Sequence, residues 1–104
     1  MVTIFHVTVA ADFDVATEHP HRTASLVTEG FVHCSTFEQL GPVIAERFAD
    51  RDDLVVLELD PERLTGDLRW EDSHGDGRRF PHVYGPLDRA AIVAVHDGSS
   101  WRGR

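Results

Sequence analysis

Apolar and polar positions alternate most clearly at the start of the chain and in its middle. Val2 to Val9 is rich in β-branched and aromatic residues, which predicts a strand. Because strand side chains alternate, Val2, Ile4, His6 and Thr8 share one face of it. Leu54 to Leu59 reads Leu-Val-Val-Leu-Glu-Leu, a nearly continuous apolar run that predicts a central strand. Shorter strands are predicted over Phe31 to Ser35 and Leu68 to Glu71, and a last one over Ala90 to Val95.

Helical spacing is strongest after Ser35. A capping box is available as Ser35 with Glu38 or as Thr36 with Gln39. Phe37, Leu40, Ile44 and Phe48 follow at helical intervals with Val43 beside them, which predicts a helix to about Ala49. Thr23 to Glu29 predicts a helical turn or two ended by Gly30, and Asp12 to Glu18 a short helix stopped before Pro20. Asp60-Pro61-Glu62-Arg63 predicts a single turn with aspartate as cap and proline first. Asp72 to Arg79 is polar and glycine-containing, and reads as a mobile loop. The tail to Arg104 reads as frayed, with Trp101 able to pin it. Five or six strands with helices mainly in the first half predict one α+β domain built on a mixed sheet.

Composition narrows the partners. A chain of 104 residues suffices for one small hydrophobic core without staples. Ten basic against eighteen acidic residues give a net charge of −8, which opposes binding to duplex nucleic acid or an anionic membrane. A local arginine pair is still able to hold a small phosphorylated ligand. All ten basic residues are arginine, and the absence of lysine excludes Schiff-base chemistry. The lone Cys34 cannot close an internal disulfide, and no stretch approaches the roughly 20 apolar residues of a membrane span, so a cytoplasmic protein is expected.

Seven histidines direct attention to imidazole chemistry. His19, His21 and His74 stand in polar or proline-adjacent loops and His96 at a strand end, where exposure is the plain expectation. His6, His33 and His82 instead stand in or beside apolar strand segments. A buried polar group without a partner costs about 1–3 kcal/mol, so a shared polar pocket accounts best for the three together. Cys34 points to the opposite face from His33, which disfavours a cysteine–histidine nucleophile and makes Cys34 a small core residue. His19, His21, His33 and Cys34 are zinc-ligand types, but no ligand spacing supports them and no metal ligand is assigned. On the residues alone Trp70-Glu71 reads as exposed at a strand end rather than set at the sugar end of a ligand, and Arg78-Arg79 as solvated rather than as a phosphate clamp. Phe80 to Pro86 is rigid enough for a pocket wall or a tight sheet connection. No glycine-rich phosphate loop or nucleophile elbow is present.

Several segments together resemble the bacterial domain-of-unknown-function family 952 (DUF952). They are Ile4-Phe-His-Val-Thr8, Ser25 to Thr36 with Gln39, Trp70-Glu71, and Phe80 to Leu87, in order along nearly the whole chain. Asp12-Phe13 departs from the family, whose members often carry tryptophan there. That family is similar to a minimal ADP-ribosyltransferase-like domain, a superfamily that includes the RNA 2′-phosphotransferases. The resemblance implies a split, bent sheet with NAD in the cleft. It implies His6, His33 and Glu71 as catalytic residues, and Thr8, Ser35, Trp70, His82 and Tyr84 as ligand contacts. Three functions stay open: an NAD-directed enzyme (ADP-ribosyl transfer or NAD glycohydrolysis), a non-catalytic nucleotide-binding module, and a metal-dependent protein using the histidines.

Overall fold

The computed structural model describes residues 2–98, so the expectation for Trp101 and the tail to Arg104 lies outside the described residues. Among the described residues six strands form two antiparallel three-stranded sheets. The first has the order β1 (Ile4–Val9), β3 (Leu54–Leu59), β6 (Ile92–Asp97). The second has the order β2 (Val32–His33), β5 (Phe80–Tyr84), β4 (Asp67–Glu71). The apolar run at Leu54 is thus a central strand, as its sequence requires. The single mixed sheet is corrected: every strand pairing is antiparallel, and β2 pairs for only two residues before the chain turns away. An isolated bridge between Phe5 and Ser35 joins the two sheets at one corner.

Period-two alternation sends the two faces of the first sheet into different cores. Ile4, Leu57 and Leu59 pack with Val32, Cys34 and Val83 of the second sheet. Phe5, Leu54 and Val56 turn the other way, onto Leu40 and Ile44 of the helix α2 (Phe37–Arg47). The second sheet buries Val32 and Val83 against the first, which leaves the directly paired His33 and His82 on its outer face.

The capping box of α2 is the Thr36–Gln39 alternative. The Gln39 amide donates to the Thr36 hydroxyl at 3.2 Å, and the Thr36 amide donates to the Gln39 side-chain oxygen at 2.9 Å. Gln39 Nε2 also donates to the Arg79 carbonyl at 2.8 Å, which ties the start of α2 to the loop before β5. Replacing Thr36 by alanine is therefore expected to cost about 1 kcal/mol in urea unfolding. α2 ends at Arg47 rather than Ala49, with Phe48 as its C-cap.

Helix α1 (Ala24–Thr28) is capped by Thr23, and Gly30 follows with φ of +89°, a conformation that glycine adopts at little cost. The Asp60 side chain caps the short turn Pro61–Arg63. The helix expected over Asp12 to Glu18 does not form. A turn covers Ala10–Asp12, and Phe13 then enters the core from extended backbone with Arg89 stacked 4.8 Å over its ring. The segment has no apolar stripe to bury as a helix, so anchoring the single ring decides its path. No helix among the described residues is long and apolar enough to cross a membrane.

Candidate functional site

A cavity of about 270 Å³ opens between the C-terminal half of α2, the corner where β1 meets β2, the start of β5, and the loop Asp72–Arg79. It brings together His6, His33, Ser35 and His82, four of the residues singled out from the sequence. Thr8 is buried on β1 and Trp70 is 39% exposed, and neither lines it. Glu71 and Tyr84 stand behind His82 rather than in the cavity wall.

Each of the three histidines is anchored through one ring nitrogen. The Nδ1–H of His6 donates to the His33 carbonyl at 2.7 Å, while its Nε2 is buried with no partner. His33 Nε2 donates to Glu29 at 2.9 Å. His82 Nδ1 donates to Glu71 Oε1 at 2.9 Å, and the Tyr84 hydroxyl donates to the same oxygen at 2.5 Å. The His82 ring stacks on Phe31 at 4.1 Å and meets the His33 ring edge-on at 5.3 Å. Sheet register explains the assembly: Arg69 pairs with His82, so Glu71 two residues on reaches the same face.

Electrostatics follow from these contacts. Tyr84 foremost, then His82, holds the Glu71 carboxyl below the usual carboxylate range. Hydrogen bonding from His33 does the same to Glu29. Burial pushes the Cys34 thiol far up, so it is un-ionised and a poor nucleophile, as its alternation with His33 implied. Burial lowers His6 to about 4, against a weaker opposing pull from the His33 carbonyl. The unfolded chain takes a proton at His6 below its ordinary 6.5, whereas the folded chain resists until about 4. In that window the unfolded state binds more protons, so stability falls as pH drops, by about 3 kcal/mol in full. Urea unfolding at pH 7.5 and pH 4.5 is expected to show this loss, and His6→Gln to reduce it.

Arg47, which carries no mark in the sequence, and His74 and Arg78, which read as exposed, also line the cavity. Arg47 comes from the last turn of α2, and His74 and Arg78 from the loop. Arg47 donates to His74 Nε2 at 3.3 Å, and Arg78 pairs with Asp76 at 2.8 Å. That loop, read as mobile, is internally bonded: the Asp72 carboxylate accepts the Gly77 amide at 2.7 Å, and Gly75 and Gly77 take positive φ. His74 and Arg78 are exposed, as their loop position implies, and they line the mouth of the cavity. His21 is also no exposed loop residue. It is buried with its ring 5.6 Å from that of His6, its Nε2 has no partner, and burial lowers its pKa. No three His, Cys, Asp or Glu side chains among the described residues are disposed to hold a metal ion. The His19, His21, His33 and Cys34 set is accordingly not assembled.

The family model described as protein of unknown function (DUF952) matches residues 7–95. The crystal structure of protein CC0527 from Caulobacter crescentus is similar, at 34% identity and a TM-score of 0.79, over 91% of this chain and 84% of that one. Its solution structure gives 34% identity and a TM-score of 0.77, over 93% of this chain and 84% of that one. No curated protein matches.

Proposed function

The chain belongs to the DUF952 family, and from that premise we propose that its histidine-lined cavity binds NAD or a related nucleotide and cleaves its glycosidic bond. The reaction is NAD glycohydrolysis, or ADP-ribosyl transfer where an acceptor replaces water. The observation that carries this reading is the meeting of three anchored imidazoles and two guanidinium groups around one small cavity. Imidazoles and the Ser35 hydroxyl suit ribose hydroxyls, and Arg47 and Arg78 suit a phosphate. The two arginines stand with Glu46 in the lining and with Asp76 paired to Arg78, so positive charge in this chain of net charge −8 is confined to a small patch, which fits a small anionic ligand rather than a nucleic-acid backbone. A volume of about 270 Å³ suits the nicotinamide–ribose half of a dinucleotide, with the remainder lying across the rim.

Bond cleavage builds positive charge on the ribose, as in glycoside hydrolysis, and a nearby carboxylate relieves it. Glu71 is committed to His82 and Tyr84, so its charge acts on the ribose through the His82 ring. The ADP-ribosyltransferase-like relationship and a cytoplasmic setting belong to this proposal. A buried, un-ionised Cys34 is compatible with a reducing compartment.

One observation favours a second reading, a binding module without turnover: Glu71, the carboxylate that the resemblance implies as catalytic, does not line the cavity, whose only lining carboxylate among the described residues is Glu46. Calorimetric titration with NAD, ADP-ribose and a 2′-phosphorylated nucleotide, run beside an assay for released nicotinamide, separates the two. Binding with release supports the enzyme, and binding without release supports the module. No binding to any of the three overturns both.

A further inference from the structure

The two histidine–glutamate contacts beside the cavity differ in how firmly they fix the ring. At His33 both partners are substantially exposed, with side-chain exposures of 38% and 49%. At His82 the ring is 2% exposed. It is clamped between the face of Phe31 and the edge of His33, with centroids at 4.1 Å and 5.3 Å. Its Nδ1–H donates to Glu71 at 2.9 Å. Glu71 is in turn fixed by the Tyr84 hydroxyl, and Arg69 stacks 4.5 Å over the Tyr84 ring. A carboxylate accepts and never donates when ionised, so the proton of a neutral His82 stays on Nδ1. The lone pair is left on Nε2, on a ring that cannot turn away and that lines the cavity.

We propose that His82 is the catalytic base of this cavity, and that Glu71 and Tyr84 are positioning residues that act through it. This deepens the NAD-directed reading and rests on it. As the C1′–nitrogen bond of the pyridinium nucleotide breaks, its electron pair neutralises the ring nitrogen and nicotinamide leaves without needing a proton. The oxygen of water or of an acceptor hydroxyl forms the new bond to C1′, and its proton passes to His82 Nε2 and then to solvent. The nucleophile is therefore an O–H donor of the water or alcohol class. Glu71, which the family resemblance casts as a catalytic contact, works one step behind the reacting atoms.

Long-range nitrogen–proton NMR on histidine-labelled protein reads the tautomer directly, and nicotinamide release reads the chemistry. The wild type is expected to show His82 with Nδ1 protonated and Nε2 bare. Glu71→Ala should move the proton toward Nε2 and lower kcat about 100-fold, with KM held within about threefold. Tyr84→Phe should give a smaller shift in the same direction. If Glu71→Ala does not fold, Glu71→Gln takes its place, with kcat again expected to fall. An Nε2–H tautomer in the wild type overturns this inference alone, as do unchanged tautomer and turnover in the Glu71 variant. A wild type that binds NAD with the expected tautomer but releases no nicotinamide overturns the base role. Failure to bind any nucleotide overturns the function proposed above, and with it this step.

Discussion

Leu57→Ala is expected to lower the free energy of unfolding by about 4 kcal/mol, the upper part of the range for a fully buried leucine. Leu57 has no exposed surface and sits in the central strand β3, directly paired with His6 on β1. Its side chain shares the core between the sheets with Ile4, Cys34 and Val83. Strands pack it from both sheets, so neighbours cannot readily collapse into the space that truncation leaves. The loss therefore includes a cavity term as well as the transfer of the missing carbons. Urea unfolding should show a lower midpoint with an unchanged slope, the signature of lost stability without a changed denatured state. Val32, which precedes His33 on β2, packs in the same core, so the variant tests how far the site depends on the packing beneath it.

The second large effect concerns chemistry. His82→Ala is expected to lower nicotinamide release by about 10³-fold, since it removes an acid–base group and leaves Glu71 and Tyr84 without the ring they hold. The fall should lie mainly in kcat, because Ser35, His33 and the arginine rim remain to bind the ligand. His82 is buried, and the variant also loses its stack on Phe31. His82→Gln keeps volume and a polar end, and separates loss of chemistry from loss of packing. A normal unfolding midpoint with the same fall in kcat assigns the effect to the imidazole.

Much of the frame was legible because it rests on local rules. β1, β3 and α2 each carry a strong period, and the Thr36 cap marks the start of α2. His6, His33 and His82 stood out because a polar residue in an apolar strand needs an explanation, and the cavity supplies one. Other features depend on which segments meet in space. Arg47, His74 and Arg78 sit on an exposed helix end and a polar loop, and only the tertiary approach of those elements brings them together at the cavity mouth. His21 carries no sequence mark of burial, because its bridge to Leu87 is a backbone contact between distant loops.

Strand alternation also separates Trp70 from Glu71, which the resemblance implies as a ligand contact and a catalytic residue. Adjacent strand residues face opposite ways, and Glu71 took the histidine face while Trp70 took the other. The Asp12–Glu18 segment failed as a helix for a related reason. Its scattered charges and the following Pro20 resemble a helix boundary, but nothing in it pairs an apolar face with the core.

On the function proposed above, His6, His33, His82 and Ser35 form one nucleotide-binding surface. The most direct test is an NMR titration of the intact chain with ADP-ribose, followed at assigned amides and histidine ring protons. Saturable shifts concentrated on those four residues, extending to Arg47 and Arg78, are the predicted result. Shifts confined to other parts of the chain, or none at millimolar nucleotide, would contradict it.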